Sequence, residues 1–144
     1  MMDELAVAYA EAEIEGKCGE SEEVALDNDE RVRRATEWKR IGIDKFKSGN
    51  NWEARDYYSK AIILVEDLLE ARRKERVELL VPLYANLAQV HLKLGENQDA
   101  EEVCSKALDI ANIPTNNVAG ALRAKALFRR GVARRALGRP LDAK

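Results

Sequence analysis

Several residue types that define other classes of protein are scarce in this sequence of 144 residues. Aromatic residues make up 6%, and there are 3 prolines, 8 glycines and 2 cysteines. Because sheets favour aromatic and β-branched residues, and turns favour glycine and proline, this composition favours helix over sheet. Cys18 and Cys104 have neither metal-ligand spacing nor a disulfide-dense pattern, so we expect reduced thiols and no metal site.

Long apolar runs and a signal sequence are also missing. No run approaches the roughly 18–20 apolar residues that cross a bilayer, and the N-terminus, Met1 to Glu4, lacks the positive start of a secretory signal. We therefore expect a soluble, cytoplasmic protein. The chain is long enough for one core and too short for most two-domain enzymes.

Charged residues, in contrast, make up 35% of the chain and are unevenly distributed. Residues 1–30 carry 11 acidic side chains and one basic side chain, Lys17, whereas residues 31–144 carry 15 acidic and 23 basic ones. Residues 116–144 hold eight bases against Asp142 alone. A cationic C-terminal surface of this kind favours an acidic partner.

Three segments share a pattern in which a glycine precedes an alanine by five residues. The pairs are Gly49 and Ala54, Gly95 and Ala100, and Gly138 and Ala143. Each glycine follows basic residues, as is typical of the left-handed position just past a helix C-terminus. The alanine indicates that the next helix crosses the first one closely. The pattern therefore predicts helix–turn–helix hairpins, which bury their apolar faces by stacking.

These residues resemble the tetratricopeptide repeat. Its pattern has an aromatic, a large aliphatic residue and glycine in the first helix, then alanine, an aromatic and alanine in the second. Repeat 1 matches with Trp38, Ile41, Gly42, Ala54, Tyr58 and Ala61. Repeat 2 aligns Tyr84, Leu87, Ala88, Ala100, Cys104 and Ala107, with alanine replacing glycine and cysteine replacing the aromatic. Repeat 3 offers Leu127, Gly131 and Ala143.

The resemblance covers about residues 33–144 and implies an all-α right-handed superhelix of antiparallel helix–turn–helix hairpins, about two and a half repeats long. We divide the chain into an acidic N-terminal extension, residues 1–30, and a repeat domain, residues 31–144. The repeats are expected at about 33–70, 74–112 and, incomplete, 116–144. Because the third repeat stops inside its second helix, we expect a fragment of a longer protein.

The repeats are spaced more widely than the usual 34 residues of the family, with 46 from Ala54 to Ala100 and 43 from Ala100 to Ala143. Residues 62–84 have no glycine, and no proline before Pro82, so the helices flanking this connector are expected to be long. Extended helices here resemble those of immunophilin-type co-chaperones, peptidyl-prolyl isomerases with an appended repeat domain. In residues 111–117, Pro114 is expected to end one helix, and Thr or Asn to cap the next.

No catalytic constellation or phosphate-binding loop is visible, so we expect neither an enzyme nor a cofactor. The single histidine, His91, and Cys104 lie at packing positions and are interpreted as core residues. The adjacent acids Glu101 and Glu102 point apart on a helix and are interpreted as solvated surface. Helical spacing places four aromatic residues in or beside the hairpin core: Trp38, Trp52, Tyr57 and Tyr58.

Basic side chains form the most informative group. The first helices of stacked hairpins line the concave face, and residues four apart on one helix project the same way. Lys125 and Arg129 therefore form a pair. Lys39 takes the corresponding place in repeat 1, and Asn86 lies on the first helix of repeat 2 between them. Together they predict a cationic groove with a central amide, which suits a carboxylate.

These positions match the carboxylate clamp of co-chaperone repeat domains, which binds the C-terminal Glu-Glu-Val-Asp of cytosolic heat-shock chaperones. The clamp pattern is Lys and Asn from repeat 1, Asn from repeat 2, and Lys and Arg from repeat 3. Lys39, Asn86, Lys125 and Arg129 fit it, whereas Ile43 stands where the first Asn belongs. Ile43 cannot donate a hydrogen bond to the terminal carboxylate, so the resemblance implies weaker or altered peptide selection. It does not distinguish the seventy- from the ninety-kilodalton chaperone.

Other interpretations stay open. The basic face could be only solvated or bind another acidic partner; the repeats could form a scaffold for an internal segment, or self-associate through the third helix, although a monomer is expected. Three further arginines are expected to face solvent or a following helix: Arg130, Arg134 and Arg135. Neither nucleic acid nor membrane binding is expected, because aromatic residues do not interleave with the basic ones and no spare apolar face is present. Residues 1–30 are interpreted as a loosely docked tail. In the alternative interpretation, Glu22-Glu23-Val24 of this tail occupies the cationic groove.

Overall fold

Five α-helices form the part of the chain that the computed structural model describes, residues 27–138. They are α1 (Asn28–Lys47), α2 (Asn51–Glu66), α3 (Arg73–Lys93), α4 (Asn97–Ala111) and α5 (Gly120–Ala136). Short 3-10 turns, Glu70–Arg72 and Pro114–Asn116, precede α3 and α5. The predicted all-α arrangement of helical hairpins is confirmed, and residues 27–138 include no strand. None of their helices combines the length and apolar character that crossing a membrane requires.

A glycine follows the C-terminal end of α1, α3 and α5, as the sequence predicts. The φ angles are 88° at Gly49, 78° at Gly95 and 80° at Gly138. Residues with a Cβ rarely adopt this left-handed conformation, which reverses the chain after a helix. Basic side chains occupy the last helical turn before each glycine, where they face the negative end of the helix dipole.

Small residues set the packing inside each hairpin. The alanines at the predicted crossings are fully buried: Ala54 and Ala61 of α2, and Ala100 and Ala107 of α4. Gly42 of α1 has the same function, because a Cβ at this position would lie 2.6 Å from Cε1 of Tyr58. The missing side chain of Gly42 therefore lets the Tyr58 ring lie directly against α1.

Helix α3 lies at the centre of the stack and packs against each of the four other helices. Its 21 residues continue through Pro82, so one of the two helices at this connector is long as predicted, whereas α2 has only 16 residues and ends at Glu66. Pro82 has no amide hydrogen to donate, but its neighbours Val81 and Leu83 are buried. Apolar packing on both sides of Pro82 therefore offsets the lost backbone hydrogen bond.

The connector between α4 and α5 differs from the prediction. Helix α5 begins at Gly120 after Ala119, with no side-chain cap, so the expected Thr or Asn cap is wrong. Instead, Asn116 donates from Nδ2 to the carbonyl of Ile110, 2.8 Å away, and thereby satisfies an acceptor at the end of α4. Asn117 takes a left-handed conformation with φ 51°. The polar residues of this connector end one helix and do not start the next.

Candidate peptide-binding groove

Helices α1, α3 and α5 lie side by side, since α3 contacts both α1 and α5. Helix α2 packs against α1 and α3, and helix α4 against α3 and α5. The predicted site residues all lie on the first of these layers: Lys39 on α1, Asn86 on α3, and Lys125 and Arg129 on α5. We call the face that this layer presents the groove.

Lys39 is a half-buried cation. Within residues 27–138 its ammonium group has neither a hydrogen bond nor an ion pair. Lys39 is therefore not bonded to any of the other three predicted site residues. Burial lowers the pKa of Lys39, because removal from water disfavours the charged form. A ligand carboxylate would compensate for the water that Lys39 has lost.

Asn86 is partly buried and forms a side-chain hydrogen bond with the hydroxyl of Tyr58. Burial raises the pKa of Tyr58 to about 12, an effect that the charge of Arg129 and the bond from Asn86 oppose. The hydroxyl is therefore neutral at physiological pH. Tyr58 links the interior of the first hairpin to two predicted site residues, a connection that the sequence analysis missed because it treated Tyr58 as packing alone.

Arg129 extends from α5 to α3, where its Nη1 donates to the carbonyl of Ala85 at 2.7 Å. Burial lowers the pKa of this guanidinium, while Cys104 and Tyr58 act in the opposite direction. Because Ala85 precedes Asn86, the bond holds Arg129 beside the predicted amide. A guanidinium has five N–H donors, so donors beyond the one bound to Ala85 can serve a ligand.

Lys125 is exposed and, with Arg129, lines a cavity of about 640 Å³ between α3 and α5. Other residues lining it include Gln89, Leu92, Lys93, Phe128 and Val132. Phe128 is 71% exposed, an unusual state for a large aromatic side chain. Lys93 and Phe128 were not among the predicted site residues, although helical spacing from Asn86 and Lys125 was a usable signal.

The structure thus brings Asn86, Lys125 and Arg129 into one region, with Lys39 on the neighbouring helix. Their role in binding a peptide stays a prediction. Ile43 is partly buried and packs against the hydrophobic core. An apolar side chain therefore occupies the position where the clamp pattern has an amide.

Two charged residues have partners that the sequence analysis did not expect. Glu101 is only 9% exposed, so its interpretation as solvated surface is wrong. Nε of Arg134 lies 2.7 Å from the Glu101 carboxylate, so Arg134 binds α4 and does not simply face solvent. The ion pair joins the second helix of one hairpin to the first helix of the next.

The aromatic residues divide into two groups. Trp38, Tyr57 and Tyr58 are buried, which confirms their interpretation as packing residues. Trp52 is 59% exposed, and the guanidinium of Arg55 lies 4.5 Å from the centroid of its ring. Trp52 is therefore not part of the buried core and instead contacts a cation on the surface of α2.

His91 and Cys104 are buried, as predicted for core residues. Burial raises the pKa of the Cys104 thiol to about 11. His91 Nδ1 lies 2.7 Å from Glu96, whose other carboxylate oxygen lies 2.6 Å from Nη1 of Arg55.

Donor atoms of His91, Glu96 and Asp99 lie within 4.8 Å of one another, a spacing that could attract a metal ion. The guanidinium of Arg55 already neutralises Glu96 and would repel a cation there. We therefore assign the group as a structural link between α2 and the turn after α3.

Comparison with known proteins supports the repeat architecture. The family model of the tetratricopeptide repeat matches residues 81–113, which comprise the C-terminal part of α3, all of α4 and the two residues that follow it. The N-terminal part of α3 therefore extends beyond the family unit, which contributes to the wide spacing between the first two repeats. Tetratricopeptide repeats are protein-interaction modules.

Similar curated proteins are longer than this chain. "FK506-binding protein-like" of Mus musculus is 38% identical over 109 residues, which are 76% of this chain and 28% of that protein. "FK506-binding protein-like" of Homo sapiens is 36% identical over 118 residues, or 82% of this chain and 28% of that protein. The chain thus spans less than a third of these relatives. The chain carries a tetratricopeptide-repeat domain, and this domain is similar to part of the FK506-binding protein-like proteins.

Proposed function

We propose that the groove binds the acidic C-terminal peptide, ending in Glu-Glu-Val-Asp, of a cytosolic heat-shock chaperone, and that this repeat domain, residues 31–144, delivers a co-chaperone to it. The main support is Lys39, a half-buried ammonium group without a counter-ion in residues 27–138, on the layer that carries Asn86 and Arg129. Buried charges are normally paired. A peptide carboxylate would supply the missing charge.

Each residue has a distinct part in this proposal. Lys39 and Asn86 hold the terminal carboxylate. Lys125, which is exposed, and the free N–H groups of Arg129 bind acidic side chains of the peptide. Because Arg129 is already fixed by Ala85, little side-chain freedom is lost on binding.

Ile43 sets the expected strength of binding. Loss of one hydrogen bond to a charged group costs about 1.5–3 kcal/mol, which corresponds to roughly 10- to 150-fold weaker binding. We therefore expect affinity in the micromolar range or weaker, with a strong dependence on salt, because the contacts are mainly between charges near the surface.

Calorimetric titration tests the proposal. A peptide ending in Met-Glu-Glu-Val-Asp should bind as the free acid and lose binding when its terminus is amidated. Lys39→Ala and Lys125→Ala should each weaken binding at least about tenfold, as removal of one charged partner does. The matched control is Lys106→Ala, an exposed lysine on α4 and therefore outside the groove layer, which should leave affinity unchanged. Equal binding of the free and amidated peptides would contradict the proposal.

Exposed apolar residues on α5 support a second candidate function. Leu127 and Phe128 are both exposed, and such side chains often mark a surface that another protein covers. We infer self-association, or a scaffold for a folded partner, as the alternative. Sedimentation over a hundredfold range of concentration distinguishes the two, because self-association through this face predicts a mass that falls on dilution and with Phe128→Ser.

A further inference from the structure

The groove combines positive charge with an apolar cavity. Lys39 lies on α1, Lys93 on α3, and Lys125 and Arg129 on α5. The last three line the cavity of about 640 Å³, and none of the residues that line it is acidic. Phe128 leaves much of its ring accessible there. A matching ligand would have several acidic side chains around one apolar side chain.

The sequence before α1 has this composition. Residues 11–23 contain six glutamates and only one basic residue, Lys17. Ile14 stands between Glu13 and Glu15, and Glu22 and Glu23 follow closer to α1. The segment thus offers an apolar residue flanked by acids, and a second acidic pair nearer to the helix.

The lengths are compatible with binding within one molecule. Lys39 lies 12 residues beyond Asp27, or about 18 Å along α1, and an extended chain of four or five residues covers about 15 Å. Glu22 and Glu23 can therefore approach the level of Lys39. The cavity lies up to two helix spacings, about 20 Å, further across the layer. The chain from Ile14 to Asp27 spans up to about 43 Å.

We propose that residues 11–23 occupy the groove of their own chain when no other ligand is bound, with Ile14 in the cavity and Glu22 and Glu23 beside Lys39. The inference uses the site of the proposed function and names an intramolecular competitor for it. A tethered segment acts at a millimolar effective concentration, so even weak individual contacts suffice for occupancy. An external acidic peptide would bind only by displacing it.

A spin label on Cys18 tests occupancy without any peptide. Cys18 lies between the two proposed contact points, and the other cysteine, Cys104, is fully buried with a raised pKa, so labelling at neutral pH is selective. In the full 144-residue chain, the label should broaden amide NMR signals of Lys93 and Phe128 in the groove. Signals of Ile63 and Lys106, on the second helices of the hairpins, should be unaffected.

Two controls make this result specific. Replacing Glu13, Glu15, Glu22 and Glu23 by Gln should abolish the broadening, whereas neutralising four exposed acids elsewhere should not. Those four, which lie on α2 and α4, are Asp56, Asp99, Glu102 and Asp109. A mixture of spin-labelled, isotope-free chain with unlabelled, isotope-enriched chain should show no broadening, because the contact is within one chain. Broadening in that mixture, or equal broadening on both faces, would overturn the inference.

Peptide affinity gives an independent readout. If the segment occupies the groove two-thirds of the time, the Gln variant should bind the acidic peptide about threefold more tightly, and the four-acid control variant should match the parent. Peptide binding without groove-specific broadening would contradict this inference and leave the proposed function standing. Broadening without peptide binding would support the inference and contradict the proposed function.

Discussion

The two hairpins of this domain place a large and a small side chain differently at the crossing of their two helices. In the first hairpin, Gly42 has no side chain, and Tyr58 lies against it, so closely that a Cβ on Gly42 would approach Cε1 to 2.6 Å. In the second, 46 residues later, Ala88 carries the methyl group and Cys104 has replaced the ring, and both are fully buried. The two departures of repeat 2 from the family pattern are therefore one compensated exchange of volume between facing helices.

The exchange also affects the groove. The hydroxyl of Tyr58 reaches Asn86, whereas the short side chain of Cys104 carries no such hydroxyl. Arg129 lies near Cys104 and binds the carbonyl of Ala85. The core residue of each hairpin thus determines which side chains of the groove it can contact. The two hairpins are therefore not interchangeable.

A second pair of equivalent positions carries opposite charges. Arg55 follows Ala54 in α2 and binds Glu96 of the next turn, whereas Glu101 follows Ala100 in α4 and binds Arg134 of α5. Each hairpin is thus joined to the next by one ion pair, but with the signs reversed. Mispairing of hairpins would place like charges together, so the reversal favours the observed order.

The largest expected effect comes from Gly42→Ala. The added Cβ must displace Tyr58, which is only 2% exposed, and overpacking of this kind costs about 3 kcal/mol. Urea unfolding measures the loss. Adding Tyr58→Cys, which recreates the second hairpin, should make the double variant less destabilised than the two single changes predict. Additive effects would refute the exchange of volume.

Glu101→Gln should have the next largest effect. Its carboxylate is mostly buried against Arg134, and loss of a hydrogen bond between charged groups costs about 2 kcal/mol. The equivalent change in the first hairpin, Arg55→Gln, breaks a pair with more exposed side chains and should cost less than about 1 kcal/mol. Thermal unfolding in low salt compares them, and a larger loss for Arg55→Gln would reverse this ranking.

Ala88→Gly tests the second hairpin with a smaller change. Glycine inside a helix costs about 1 kcal/mol relative to alanine, and here no ring can move into the vacated space, because Cys104 replaces it. We expect this loss in chemical unfolding, with peptide affinity unaltered. Ala124→Gly, at an exposed position inside α5, is the control for the backbone effect on stability alone.

The smallest effect is on the dependence of stability on pH. Burial raises the pKa of Cys104 from 9.0 to about 11, so its contribution is complete below pH 9 and is lost as pH rises through 11. At pH 9 the loss is only about 0.4 kcal/mol. Cys104→Ala should flatten this part of the profile between pH 8 and 9, measured in a Cys18→Ser background. A profile identical to that of the parent would contradict the raised pKa.

Several features could be predicted because they depend on residues close in sequence. A left-handed turn needs a residue without Cβ, and the chain has Gly49, Gly95 and Gly138 where such turns occur. Ala54 and Ala100, five residues after the first two glycines, mark the crossing of helices that a short turn already brings together. The helices that carry Lys39, Asn86, Lys125 and Arg129 followed from the same periodicity.

Errors arose where a residue's environment depends on a distant segment. Glutamate is usually a surface residue, but the bond to Arg134, 33 residues away, allows Glu101 to be buried. A large apolar side chain such as tryptophan is usually placed in the core, but Trp52 is exposed on α2 beside Arg55. A Thr or Asn of the connector was expected to cap the next helix, but the amide of Asn116 instead binds the end of the preceding one.

The sequence by itself determined the class of fold, the positions of the turns and the helix that carries each predicted site residue, because backbone conformation and helical periodicity act within a few residues. Only the tertiary structure decided that Tyr58 reaches Asn86 beside Gly42, that Arg129 is fixed by Ala85 and that Phe128 borders a cavity with Lys93. These contacts join helices separated by tens of residues, and volume and charge at such contacts are balanced between the partners, so neither partner's sequence specifies them alone.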